Sequence, residues 1–269
     1  MKIGVFDSGV GGLTVLRALL KHIPEADYLY LGDTARLPYG AKSRETVARY
    51  ATSSARHLIA EGAEFLVIAC NTASALALDA IREAVKVPVL GVVETGANAA
   101  DASSTTRDVL VVATAATVES HAYTAACAER RMRAIEKACP LLVPLVEEGW
   151  IEHPVTAEVL RIYLAELMEQ ARGAELNPDT LVLGCTHYPL LRAQIEQAVP
   201  GSLRVIDSAE VTAEQVAGML KIAKDGRRGK TRFFATDSVT KFRALGSRFL
   251  GQEIDGVELV DLETAAGSL

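Results

Sequence analysis

The chain has 269 residues, of which 49% are hydrophobic and 23% are charged, so it can bury a sizeable core and is long enough for two domains. Its net charge of −6 argues against a surface for nucleic acid or for an anionic membrane, and no apolar run approaches the length of a membrane-spanning helix. The first residues lead directly into a strand and not into a signal peptide, which predicts a cytoplasmic protein. Four widely spaced cysteines without a CxxC pair fit neither a disulfide framework nor a zinc site.

Short apolar runs alternate with helix-length amphipathic segments along the chain, which is typical of an α/β fold with a mostly parallel sheet. The segment 43–60 begins with Ser43, a residue type that commonly caps helices. The predicted strands are 2–6, 28–31, 65–68, 89–93, 109–112, 180–183, 204–207, 232–236 and 257–260. The predicted helices are 11–22, 43–60, 73–85 and 209–222, with a short helix ending in the small, polar run 97–106 and another between the last two strands.

One stretch of the sequence occurs twice. Residues 65–75 and 180–190 each combine an apolar run of strand length, a small residue, a cysteine, and hydroxyl or amide side chains before a helix-length segment. In a parallel α/β sheet such a turn lies at the carboxyl edge, where these folds bind ligands. Free N–H groups and the helix dipole at this position favour anions and lower the pKa of a thiol. We therefore interpret Cys70 and Cys185 as a matched pair of reactive thiols.

The spacing of the strand ends suggests an internal duplication. Asp7 follows the first strand and precedes Cys70 by 63 residues, while Thr114 follows the strand at 109–112 and precedes Cys185 by 71. We predict a first domain from residues 1–96 and 208–269 and a second from 97–207, facing each other so that both cysteines reach one cleft. The part from Arg204 onward has no cysteine turn and is expected to complete the first sheet. Its basic turn, 224–230, is interpreted as a solvated hairpin.

A thiol on each side of a bound carbon could remove a proton from one face and return one to the other. The thiolate would be the base and the opposing thiol the acid, and a reference pKa of about 8.5 lets modest shifts hold either form near neutral pH. Because a carbon acid is far weaker, hydrogen-bond donors must stabilise the substrate carboxylate in a dry site. Asn71, Thr72 and Thr186 suit that carboxylate. Asp7 and His187 are placed to tune the two thiols.

Four motifs follow one another along the chain: DSGVGGLT at 7–14, GDTARLPYG at 32–40, ACNTAS at 69–74 and GCTHYPLL at 184–191. With VEEG at 146–149 and IDS at 206–208, they cover nearly the whole sequence. In this set the chain resembles the glutamate racemases, a family of cofactor-independent enzymes that interconvert L- and D-glutamate. Two positions depart from the family pattern. Thr95 stands before Gly96 where a proline is expected, and the stretch 113–117 keeps its threonines but has no glycine.

The resemblance implies roles for particular residues. Cys70 and Cys185 would be the two acid/base catalysts. Asp7 and His187 would assist proton transfer, with Glu147 behind His187. Contacts to the substrate are implied for Asp7, Ser8, Tyr39, Gly40, Asn71, Thr72, Thr186 and His187. The resemblance also implies two similar three-layer domains related by a pseudo-twofold, a homodimer, no metal or other cofactor, and a supply of D-glutamate for peptidoglycan synthesis.

Two other functions fit parts of the sequence. A cysteine hydrolase would use Cys185 as nucleophile and His187 as base, but it leaves Cys70 without a purpose. A two-lobed binding module would clamp a small anion without chemistry, but it needs neither thiol. Cys127 and Cys139 are interpreted as packing residues, in a helix and at its exit.

Overall fold

The computed structural model describes residues 1–222 and 226–262, so Lys224 and Asp225 of the basic turn lie outside the described residues. The fold is α/β, and every strand pairing in the described ranges is parallel. None of the described helices is both long and apolar enough to span a bilayer. The strands are β1 (Lys2–Asp7), β2 (Asp27–Gly32), β3 (Phe65–Ile68), β4 (Val89–Gly91), β5 (Asp108–Ala113), β6 (Arg133–Ala138), β7 (Thr180–Gly184), β8 (Arg204–Asp207), β9 (Thr231–Ala235) and β10 (Glu258–Leu259).

One or two α-helices separate each pair of consecutive strands in the described ranges, as crossovers between parallel strands require. They are α1 (Leu13–His22), α2 (Arg44–Ala60), α3 (Asn71–Ala84), α4 (Val92–Ser103), α5 (Ala115–Glu119), α6 (Ala122–Glu129), α7 (Leu142–Glu147), α8 (Pro154–Gly173), α9 (Arg192–Ala198), α10 (Ser208–Met219) and α11 (Val239–Leu250). Short 3₁₀ helices lie at Thr34–Arg36, Tyr39–Ala41 and Tyr188–Leu191. Ser43 caps α2 as predicted, since its hydroxyl accepts a hydrogen bond from the Thr46 N–H at 3.3 Å.

The two sheets repeat the same strand order. The first sheet runs β10-β9-β2-β1-β3-β4 and the second β6-β5-β7-β8. The unit β2-β1-β3-β4 therefore matches β6-β5-β7-β8 strand for strand, which supports the duplication inferred from spacing. Alternate residues of the central strand β1 enter different cores: Val5 packs on one face and Phe6 on the other, so helices cover both faces of the sheet.

Helices α4 and α10 occupy matching places, after β4 and β8, and pack against each other. Each also reaches the other half, because α10 packs on α1 and α4 packs on α6. At their crossing, the buried hydroxyls of Thr95 and Thr212 lie 2.6 Å apart, within hydrogen-bond distance. A proline at position 95 would lack this hydroxyl. The predicted domain limits at 96/97 and 207/208 stay a prediction, and the first of them falls inside α4.

Several predicted elements need correction. Residues 133–138 form β6, an edge strand of the second sheet, so Cys139 follows a strand and not a helix. The sequence of β6 (RAIEKA) reads as helical because its residues are only partly buried and do not alternate cleanly. The strand at 204–207 pairs with β7 and belongs to the second sheet, whereas β9 and β10 extend the first. The strand predicted at 89–93 ends at Gly91, where α4 begins.

Candidate active site

The site is built from the carboxyl ends of four central strands, two in each sheet. Asp7 ends β1 and Cys70 follows β3, its neighbour. In the second half, Thr114 follows β5 and Cys185 follows β7, its neighbour. Neighbouring parallel strands end at the same edge of a sheet. Cys70 therefore lies next to the end of β1, and Cys185 lies next to the end of β5.

The Cys70 thiol lies at the start of α3 and is buried. Its Sγ accepts a hydrogen bond from the Ala73 N–H at 3.5 Å, so the cysteine itself caps the helix. The same sulfur lies 3.5 Å from Ser8 Oγ, on the loop after β1. Burial, reinforced by the neighbouring Asp7 charge, raises the pKa of Cys70 to about 12. The expectation that the helix start would lower this pKa is therefore wrong, because desolvation of the thiolate outweighs the N–H groups.

Asp7 is also buried and is only half satisfied. Its Oδ2 accepts a hydrogen bond from the Gly9 N–H at 2.8 Å, but its Oδ1 has no hydrogen-bond partner among the described residues. Burial raises the pKa of Asp7, although the Gly9 N–H and the charge of His187 oppose the rise. Asp7 is thus an acceptor with one free oxygen beside the Cys70 thiol.

The second cysteine stands in a different setting. The Cys185 Sγ lies 3.9 Å from His187 Nδ1, and His187 Nε2 lies 3.1 Å from Glu147 Oε1. Burial alone would lower the pKa of His187, but its contacts with Cys185 and Glu147 raise it to about 10. The hydrogen bond to His187 in turn lowers the pKa of Glu147. The Phe249 ring meets the imidazole edge-on, with ring centres 5.0 Å apart.

The sequence predicted a helix-length segment directly after the Cys185 turn, but this turn does not lead directly into an α-helix. It continues as the 3₁₀ segment Tyr188–Leu191, and α9 begins only at Arg192. Pro189 has no N–H to donate within this segment. The Tyr188 hydroxyl lies within hydrogen-bond distance of the carbonyl groups of Ala113 and Cys139 and can donate to either. The Cys185 thiol therefore depends on a side chain, His187, where Cys70 depends on a helix start.

The turn at Cys185 contacts the first half of the molecule. The Thr14 hydroxyl donates to the Thr186 carbonyl at 3.0 Å. A Cβ placed on Gly11 would collide with Thr186 Oγ1 and would lie 2.6 Å from the His187 ring. Only glycine at position 11 lets the loop after β1 approach the second turn this closely.

The turn at Cys70 contacts the second half in a reciprocal way. The Tyr123 hydroxyl donates to Asn71 Oδ1 at 2.8 Å, and Thr72 Oγ1 lies 3.1 Å from Thr114 Oγ1 and 3.4 Å from Thr117 Oγ1. The amide nitrogen of Asn71 is buried and, in the part of the chain that the structure describes, has no hydrogen-bond partner. Each cysteine turn therefore meets the opposite half at its central strand exit, which is the arrangement expected of an approximate twofold.

Tyr39 and Gly40 lie in the same 3₁₀ helix but contact different halves of the molecule. Gly40 faces Thr114, whose Cβ would lie 3.5 Å from a Cβ on the glycine. The Tyr39 hydroxyl is instead donated to Asp33 Oδ2 at 2.5 Å, inside the first half. Tyr39 is thus oriented by Asp33, a buried carboxylate that sequence reasoning did not select.

Other residues of the site were also missed from the sequence. They are Thr114, Thr117, Tyr123, Thr14 and Gly11. Thr114 could have been found, because it directly follows β5 as Ser8 directly follows β1. Tyr123 lies in α6, a short helix whose contact with Asn71 depends on how the halves face each other.

Comparison with known proteins first defines a class. The sequence profile of the Asp/Glu/Hydantoin racemase family matches residues 9–216. A glutamate racemase from Koribacter versatilis is 53% identical to this chain over 97% of each sequence, and one from Aquifex aeolicus is 42% identical over 95% and 96%. The chain therefore belongs to the Asp/Glu/Hydantoin racemase family, and within it to the glutamate racemases, so it is an isomerase.

Solved structures agree with the fold. The glutamate racemase of Francisella tularensis, determined with D-glutamate, superposes with a TM-score of 0.88 at 34% identity, covering 98% of both chains. The glutamate racemase of Thermus thermophilus, determined with beta-chloro-D-alanine, gives a TM-score of 0.86 at 44% identity, covering 97% of both chains. The two-domain α/β architecture predicted from the sequence is thereby confirmed.

Proposed function

We propose that this protein interconverts L- and D-glutamate without a cofactor. The thiolate of one cysteine, Cys70 or Cys185, removes the α-proton from one face, and the thiol of the other delivers a proton to the opposite face. The observation that carries the proposal is the reciprocal contact of the two cysteine turns. Thr72 meets Thr114 and Thr117 on one side, and Thr186 meets Thr14 on the other. One thiol from each half therefore belongs to a shared interface, as a two-sided proton transfer needs.

The polar atoms left without partners suit an amino acid. Asn71 Nδ2 is a buried donor and would bind a carboxylate, while Asp7 Oδ1 is a buried acceptor and would bind an ammonium group. A zwitterion between them would satisfy both atoms, each of which is costly to leave unpaired. The hydroxyls of Thr72, Thr114 and Thr117 add donors from both halves.

The two thiols are prepared for opposite tasks. Cys70 is held as a thiol by burial beside Asp7 and would deliver a proton. Cys185 lies beside an imidazole whose raised pKa keeps it protonated at neutral pH, so His187 would place a positive charge next to the sulfur that removes the α-proton. The first transfer leaves Cys70 as thiolate and Cys185 as thiol, so in the reverse direction Cys70 removes the α-proton and Cys185 delivers one.

Glutamate is the substrate that the relatives indicate. The similar curated proteins are glutamate racemases, and the similar Francisella structure was determined with D-glutamate. As the resemblance implies, we also propose that the D-glutamate is used for peptidoglycan precursor synthesis, and that the protein is a cytoplasmic homodimer. Tyr39 and Gly40, Ser8 and Thr186 complete the proposed binding set.

The test is optical and isotopic. Circular dichroism of L-glutamate and of D-glutamate, each incubated with the pure protein and no added cofactor, should fall to zero, while L-aspartate should keep its signal. In deuterated water, the newly formed enantiomer should carry deuterium at the α-carbon before the recovered substrate does, because the second thiol delivers a solvent-derived hydrogen. A static optical signal with both enantiomers would refute the proposal.

The Cys185–His187–Glu147 chain is also the arrangement of a cysteine hydrolase. That second function differs in its use of Cys70, and Cys70→Ser separates the two. A hydrolase would keep most of its activity in this variant, whereas a racemase would lose it.

A further inference from the structure

A cavity of about 320 Å³ lies on the first half of the molecule, between α1, the end of α11 and the start of β9. Its cationic lining residues are Arg17, Lys21 and Arg228, and none of the described residues that line it is acidic. This local excess of positive charge contrasts with a net charge of −6 for the chain. None of these residues takes part in the site proposed for glutamate.

The charges of the cavity are not all neutralised. Lys21 pairs with Glu210, Nζ to Oε1, at 2.7 Å. Arg17 and Arg228 form no hydrogen bond or ion pair with the residues that the structure describes. Two free guanidinium groups therefore face a common concavity, with a lysine at its edge.

The rest of the lining is apolar or neutral. Leu20, Pro24 and Leu250 form an apolar part, and Thr231 and Gln252 add neutral polar groups. The volume is at the lower end of the range for small-molecule sites. Guanidinium forks match the oxygen geometry of phosphate, and an apolar wall suits an organic substituent.

We propose that this cavity is a binding site for a small phosphate monoester, separate from the catalytic cleft. Arg17 and Arg228 bind the dianionic phosphate, Lys21 adds charge at the rim, and Leu20, Pro24 and Leu250 contact the organic group. The basic turn is then more than a solvated hairpin, because Arg228 turns toward this cavity.

Isothermal titration calorimetry of the full chain with phenyl phosphate tests the site, with inorganic phosphate and phenol as comparison probes. Phenyl phosphate should bind with one-to-one stoichiometry and a Kd at or below about 1 mM. Inorganic phosphate should bind more weakly and phenol should not bind. The double variant Arg17→Gln, Arg228→Gln should weaken phenyl phosphate at least about tenfold, because each lost guanidinium removes charge-assisted hydrogen bonds.

The matched control is Arg56→Gln, which removes an exposed arginine from α2, away from the cavity. It should bind phenyl phosphate like the wild type, and so should Cys70→Ser, which separates this site from the proposed racemisation. Thermal unfolding of each variant checks that it is folded. Equal binding by the double variant, an equal loss in Arg56→Gln, or no saturable binding by the wild type would each overturn the proposal.

Discussion

The two cysteine turns have the same sequence pattern and matching places in the repeat, yet they prepare their thiols by different means. Cys70 relies on the backbone at the start of α3 and on the loop after β1, with a buried carboxylate close by. Cys185 relies on His187, which Glu147 holds in turn. The comparison shows that the repeated strand order places the two thiols alike, whereas the residues around each turn give them different surroundings.

The strongest test of this comparison is removal of each thiol in turn. Cys70→Ser and Cys185→Ser should each lower kcat/KM for glutamate by about 10³-fold or more, because a hydroxyl is a poor general acid or base at neutral pH. The circular dichroism assay measures both directions. Equal importance of the two thiols would show that their different surroundings serve one reaction.

Cys127→Ser is the control for these variants. Cys127 is buried in α6 and is not in the proposed machinery, so activity should stay near that of the wild type. If Cys70→Ser were as active as Cys127→Ser, the comparison would break, and the Cys185 turn would act alone, as in a hydrolase.

A second test changes the contact between the halves without removing a polar group. Gly11→Ala should lower kcat/KM by about a hundredfold, since the new Cβ would lie 2.6 Å from the His187 ring and would displace the Cys185 turn. Gly218→Ala is the control, because a Cβ at that position in α10 meets nothing within 4 Å. Wild-type kinetics in Gly11→Ala would show that the close approach of this loop is not needed.

A third test separates the two turns by pH. Glu147→Gln removes the partner that helps to raise the pKa of His187, so the alkaline limb of kcat/KM should move to lower pH. The value of kcat/KM at neutral pH should fall about tenfold. This corresponds to the low end of the free-energy range for a hydrogen bond between charged groups, because Glu147 is partly exposed. Glu148→Gln, the exposed neighbour, should leave the profile unchanged.

Glu147→Gln should also change how the free energy of unfolding depends on pH. Because the pKa of His187 is raised from 6.5 to about 10 on folding, its contribution is complete below 6.5 and is lost as pH rises toward 10. Because the pKa of Glu147 is lowered, its contribution is present above the ordinary value of 4.5 and is lost in acid. The free energy of unfolding should therefore differ most between wild type and Glu147→Gln from about pH 4.5 to 6.5. A difference that stays the same from below pH 4.5 to pH 10 would contradict the pairing.

Much of the fold could be predicted from the sequence because its central strands are buried on both faces and read as continuous apolar runs. β1, β3, β5 and β7 are of this kind. The two cysteine turns were therefore placed correctly, after β3 and β7. The edge strand β6 was missed because partial exposure leaves it without such a run. Local pattern therefore locates the centre of each sheet better than its margin.

The surroundings of the site were harder to predict than its positions. That Cys70 is held as a thiol follows from burial, which a sequence does not show at single residues. The contacts of Tyr123 with Asn71 and of Thr14 with Thr186 join residues 52 and 172 positions apart, and depend on how the two halves face each other. Short motifs do not reveal such contacts, because each motif describes only residues that are close together in the sequence.

The smallest expected effect concerns α11, an element outside the repeated four-strand unit. The Arg248 Nη1 donates to the Glu147 carbonyl at 3.2 Å, and the next residue, Phe249, packs against His187. We expect Arg248→Met to lower kcat/KM about threefold, as loss of one exposed hydrogen bond predicts, and to move the alkaline limb in the same direction as Glu147→Gln. Arg56→Met serves as the control for removal of an exposed arginine.

This last variant sharpens the comparison between the turns. If α11 supports only the Cys185 turn, Arg248→Met changes the pH profile through His187 and adds little to the effect of Glu147→Gln when the two are combined, since both act on one pair. Full additivity of the two changes would mean that Arg248 acts elsewhere. The C-terminal segment would then be a support for the first sheet alone, and the difference between the two thiols would rest on the residues of their own turns.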